Sequence, residues 1–114
     1  MKTLAVFVIA LTLLIPLFAQ DPVQYGLKHI KVLAADDNVR VLRFAPSKGD
    51  KTPIHSHPEM VVYVIKGGRI RLTLPDGTSS VAELTTGEVI LRAPVTHSDE
   101  ALDDLEAILI ELKK

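Results

Sequence analysis

The stretch His55-Ser56-His57-Pro58-Glu59-Met60-Val61-Val62-Tyr63-Val64-Ile65-Lys66-Gly67 carries two signals in succession. From Met60 to Ile65 it is a continuous apolar run rich in β-branched residues and closed by Gly67-Gly68, the pattern of a buried strand. The part before it is extended, because Pro53 and Pro58 bias the residues ahead of them away from helical geometry. On such a segment His55 and His57 leave the same face, with Cα atoms about 6.5–7 Å apart. Two imidazoles at that separation can converge on one metal ion. They do not complete a site, and His97, beyond the turn at Pro94, is the candidate third ligand. Neutral imidazole suits zinc, copper, iron and nickel. Histidines at strand ends are also often merely solvated, so spacing alone leaves both readings open. His29 has no partner at ligand spacing and is expected on a strand surface.

Outward from this stretch the chain reads as short strands between turn residues. Val39 to Phe44 is one, ended by the loop Pro46-Ser47-Lys48-Gly49-Asp50; Thr52 to His57 is the next. Arg69 to Leu74 alternates, with Ile70, Leu72 and Leu74 on one face and Arg69, Arg71 and Thr73 on the other. Pro75-Asp76-Gly77-Thr78 predicts a hairpin turn, since Asp-Gly supplies the positive φ angles such turns need. Val81 to Leu84, Val89 to Arg92, Thr96 to Asp99 and Glu106 to Leu112 complete the set. Eight or nine strands at short spacing, with no long helical periodicity after residue 19, predict an all-β sandwich or barrel. If Met60, Val62 and Val64 face the interior, Val61, Tyr63 and Ile65 face outward. A strand apolar on both faces needs covering on both. The expected cover is an N-terminal strand around Ile30–Leu33 or a second subunit, giving a homodimer.

The rest of the composition mostly excludes. A chain of 114 residues, 47% hydrophobic, fits one domain. Thirteen basic and 14 acidic residues give a net charge of −1, with no basic excess to suggest nucleic acid. Cysteine is absent, which rules out disulfides, thiolate metal sites and a cysteine nucleophile. The first nineteen residues differ in kind: Lys2, then an uncharged run from Leu4 to Ile15 broken only by Thr12, then Pro16 and Leu17-Phe18-Ala19. That order is a secretory signal, so residues 1–19 are expected to be cleaved and 20–114 to form the mature domain. The run is short for a membrane span, though an uncleaved anchor stays the alternative. The mature protein is expected to be periplasmic or secreted and not membrane-bound.

The motifs together resemble a known family. Gly49, five intervening residues, His55-Ser56-His57-Pro58 and then Val62-Tyr63-Val64-Ile65-Lys66-Gly67 look like the first cupin motif. Gly87-Glu88-Val89-Ile90-Leu91-Arg92, then Ala93-Pro94-Val95-Thr96-His97, looks like the second. The resemblance spans residues 36 to 114 and implies a jelly-roll-like β-barrel of about eight to nine strands with a metal inside. It implies His55, His57 and His97 as ligands of one divalent ion, whether zinc, iron, manganese, nickel or copper. The family's fourth ligand is a glutamate, and its slot here holds Met60, with Glu59 adjacent; these two are the candidates for the fourth position. The second motif also departs, with Ala93, Val95 and Ala101 where proline, glycine and asparagine are usual.

Two functions compete. Three histidines on one side of an ion leave positions for water, dioxygen or substrate, as a dioxygenase- or isomerase-like enzyme on a small organic substrate requires. Glu59 and Tyr63 are the candidates for a general base, although a packed ring is the expected role of Tyr63. The alternative is a small-molecule-binding module without turnover. Either way, a three-histidine site with a divalent ion keeps a charge of about +2 and attracts anionic ligands.

Overall fold

The computed structural model describes residues 21–114; the proposed signal segment lies outside the described residues. A 3-10 turn, Pro22–Tyr25, is capped by the Asp21 carboxylate and leads to nine antiparallel strands. These are β1 (Ile30–Ala35), β2 (Val39–Phe44), β3 (Lys51–His57), β4 (Met60–Lys66) and β5 (Gly68–Thr73), followed by β6 (Ser79–Leu84), β7 (Val89–Arg92), β8 (Val95–Ala101) and β9 (Glu106–Leu112). They form a five-stranded sheet in the order β1-β2-β9-β4-β7 and a four-stranded sheet in the order β3-β8-β5-β6.

The two sheets face each other because each presents one apolar row. Leu42 and Phe44 of β2, Met60, Val62 and Val64 of β4, and Ala107 and Leu109 of β9 are buried from one side. Ile70 of β5 and Ala101 of β8 meet them from the other, with Leu105 between. Each row is every second residue of its strand, so a one-residue slip would expose it all. The β5–β6 hairpin turns at Pro75-Asp76-Gly77-Thr78, where Gly77 adopts a φ of 91°. Gly67 is needed for a different reason: a Cβ there would lie 2.2 Å from the Leu84 carbonyl oxygen.

β1 is not where a cover for β4 was expected. It pairs edge-on with β2, Ile30 opposite Phe44 and Ala35 opposite Arg40, and so extends the same sheet. The free backbone edge of β2 takes its hydrogen bonds, which a strand laid across the face could not do. Among the described residues, nothing covers the outer face of that sheet. Tyr63 is 44% exposed and Leu91 80%, in register with Ile108 and with Val61 respectively.

β3 contains the irregularity that builds the site. Its register against β8 shifts between Thr52 and His55. Three residues apart, these two would face opposite sides of a regular strand. Pro53 has no N–H for the ladder, and the bulge around it turns both Thr52 and His55 inward with His57.

Candidate metal centre

His55 and His57 on β3 and His97 on β8 meet inside the sandwich, His55 directly opposite His97. All three are buried, and one ligand-capable atom of each lies within 4.8 Å of the others. Their ring centroids are 4.7 to 5.6 Å apart. Two nitrogens each about 2.0–2.1 Å from one ion can be at most about 4.2 Å apart, so a small closure brings the widest pair into range.

The hydrogen bonds settle which nitrogens are free. His55 Nδ1 donates to the Pro53 carbonyl at 2.7 Å, and His57 Nδ1 donates to Glu111 Oε2 at 2.6 Å. Each ring is thereby oriented with Nε2 as the nitrogen left for the interior. His97 has a buried Nδ1 with no partner among the described residues. Burial pushes the His55 imidazole down to about 4, against its hydrogen bond to Pro53. Burial, with His55, His57 and Arg92 nearby, pushes His97 down to about 3. At neutral pH these two are uncharged, the form a metal requires. Three converging imidazoles, two held by second hydrogen bonds and one with an orphaned nitrogen, fit a divalent ion.

Two carboxylates that the sequence reading did not single out flank the trio. Glu111 of β9, 2% exposed, bonds Arg40 at 2.7 Å as well as His57, and Arg40 bonds Asp21 at 2.8 Å. Burial alone would raise the Glu111 carboxyl, but the bonds from His57 and Arg40 hold it below its usual range. Asp99 of β8 shares the face of His97, and its Oδ2 is 3.9 Å from His55 Nε2. Burial pushes its carboxyl up to about 6, against the Thr52 hydroxyl and His57, and its Oδ1 has no partner among the described residues. Alternation was the available signal for both. Glu111 continues the inward row of Ala107 and Leu109, and Asp99 is two residues from His97.

Of the two candidates for the fourth position, Met60 lies inside and Glu59 outside. Met60 is 4% exposed and lines the cavity with the three histidines. Glu59 turns to the surface, where its carboxylate pairs with Lys114 Nζ at 2.6 Å. Tyr63 is neither a packed ring nor near the cavity; it stands on the open outer face. His29 precedes β1 and is not on a strand surface. Its side chain is largely buried, edge-on to Phe44, with Nε2 2.9 Å from the Thr52 hydroxyl.

The trio opens on a cavity of about 90 Å³ walled chiefly by aliphatic side chains, with Arg92 and Asp99 its charged members. A two-sheet β-sandwich holding inward histidines from both motifs defines a class of small metal-site barrels. Comparisons with family models and with curated proteins give no match. Solved structures do match. A cupin domain from Bordetella pertussis Tohama I is 27% identical, with a TM-score of 0.68 over 75% of this chain and 92% of its own. A cupin superfamily protein from Desulfitobacterium hafniense is 16% identical, with a TM-score of 0.58 over 75% of this chain and 76% of its own. KdgF from a Halomonas species is 18% identical, with a TM-score of 0.55 over 77% and 83%. The chain shares the cupin fold of these proteins.

Proposed function

We propose that this protein is an exported metal-dependent cupin in which His55, His57 and His97 hold one divalent ion beside a small organic substrate. The observation that carries this reading is the fixed tautomer of His55 and His57. Both donate through Nδ1 to built-in acceptors, which leaves Nε2 of each ring as the nitrogen available to the interior. A bound ion would supply Lewis-acid or redox chemistry. The chain's own residues orient the ligands: Pro53 holds His55, and the Glu111–Arg40–Asp21 series holds His57. The walls are chiefly aliphatic, and Asp99 places a carboxyl that can hold or release a proton at the cavity. Dioxygenase- or isomerase-like turnover is the reading this buried carboxyl favours. Holding a ligand without turnover is the second reading, favoured by the almost wholly aliphatic lining.

The same proposal includes a homodimer joined through the open face around Val61, Tyr63, Val89 and Leu91. It also includes export directed by residues 1–19. The test of the centre is metal content. Full-length protein purified without chelators should carry close to one divalent ion per chain by mass spectrometry, and His97→Ala should lose it. Equal metal in His97→Ala would refute the three-histidine centre.

A further inference from the structure

The cavity contains a cation that the metal reading leaves without a role. The chain has five arginines, and four of them are neutralised: Arg40 by Asp21 and Glu111, Arg43 by Glu106, Arg69 by Asp103 and Arg71 by Glu100. Arg92 forms no ion pair among the described residues. Its Nε is buried without a hydrogen-bond partner, although the residue lines the cavity. A partly desolvated guanidinium is costly to leave uncompensated.

Its position follows from register. Across the inner face of the large sheet, Arg40 is opposite Glu111, Glu111 opposite Met60, and Met60 opposite Arg92. The row reads cation, anion, neutral, cation. Arg40 has the adjacent carboxylate, while Arg92 has the Met60 thioether beside it and lies two strands, about 9–10 Å, from Glu111. The turn at Ala93-Pro94 sets Arg92 at the Val95 end of β8, and its charge bears on His97. Asp99 lies farther along β8, beyond His97, opposite Thr52.

We propose that Arg92 is the anchor for a ligand carboxylate. The ligand of this cavity is then a small aliphatic carboxylic acid, its head group between the Arg92 guanidinium and the three histidines. Arg fits a carboxylate with two parallel hydrogen bonds, and the Nε without a partner is one of the five N–H donors of that fork. The body must be apolar, because Leu42, Phe44, Val62, Leu72 and Ile90 offer it no side-chain hydrogen-bonding group. A sugar phosphate would leave its hydroxyls unpaired there. This inference names the ligand of the proposed metal site, but Arg92 binds the anion whether or not an ion is present.

The test is calorimetric titration of the full chain with hexanoate, hexanol and inorganic phosphate, in metal-free and zinc-treated samples. Hexanoate should bind both samples, more tightly with zinc, and Arg92→Gln should weaken it at least about tenfold. Hexanol and phosphate should bind no better than hexanoate does to Arg92→Gln. Met60→Glu places a carboxylate beside Arg92 and should abolish hexanoate binding, which keeps the test open if Arg92→Gln does not fold. Unchanged hexanoate affinity in either folded variant, no hexanoate binding to the parent protein, or equal binding of phosphate would each overturn the proposal. A parent protein that takes up no zinc yet binds hexanoate through Arg92 would refute the metal reading and leave this one standing.

Discussion

Acidifying the metal-free protein sets opposing terms within the site against one another. His55 and His97 titrate in the unfolded chain near 6.5, but burial pushes them to about 4 and about 3 in the fold. The unfolded state therefore takes up protons first, and stability is lost as pH falls from 6.5 towards the folded values. At about 1.4 kcal/mol per pH unit, each histidine removes about 3 kcal/mol between pH 7 and pH 4. Asp99 acts in the opposite sense. Its carboxyl is raised from 3.8 to about 6, so its charged form destabilises the fold at neutral pH, and protonation below pH 6 relieves this. That relief is worth about 2 kcal/mol over the same interval, leaving a net loss on the order of 3–4 kcal/mol. A loss of that size is a large part of the total stability of about 5–15 kcal/mol that single domains have. Denaturant unfolding of chelator-treated protein at pH 7, 5.5 and 4 reads it directly. His97→Gln should remove about half of the histidine contribution. A stability that stays flat from pH 7 to pH 4 in the parent protein would refute the argument that burial keeps these imidazoles neutral.

Glu111→Gln keeps the size of the side chain but puts amide hydrogens against Arg40 or His57. It should cost about 10–100-fold in zinc affinity, measured by competition with a chromophoric chelator. Asp99→Asn should stabilise the metal-free fold at pH 7 by up to about 3 kcal/mol in urea unfolding and make its acid profile steeper. Glu59→Gln should leave zinc affinity unchanged, because that carboxylate pairs with Lys114 at the surface; a steep loss would show that Glu59 reaches the metal. Light scattering at micromolar concentration should give a dimer, and Leu91→Asp should shift it to monomer. A parent protein that stays monomeric would show that the open face is not an interface between copies.

The strands whose side chains alternate against a core were legible along the chain. β2, β7 and β9 have the bounds expected from their sequence, Val39–Phe44, Val89–Arg92 and Glu106–Leu112. β8 extends past its legible part, from Thr96–Asp99 to Val95–Ala101, because backbone pairing with β3 and β5 continues through residues with weak strand preference. Alternation also decided between Met60 and Glu59. Their directions are fixed by the inward row Met60, Val62 and Val64, and the turn at Pro58 does not reverse it. His29 failed for a different reason. Its partner Thr52 is turned inward by a bulge, a departure from alternation that residue types alone do not announce.

The charged half of the site was hidden more deeply. A carboxylate or guanidinium in a strand reads as solvent-facing, and for most residues of those types that reading is correct. Glu111, Asp99 and Arg92 are exceptions because of neighbours that only the topology brings together. β9 is inserted between β2 and β4, and β7 pairs with β4 on its far side. Residues 40, 111, 60 and 92 thereby become one row across a sheet although they lie far apart in the chain. Glu111 can be buried because Arg40 and His57 meet it there. Met60 interrupts the row, and by contributing no charge it leaves Arg92 without an ion pair among the described residues. The same strand order that satisfies Glu111 thus places no carboxylate beside Arg92 among the described residues.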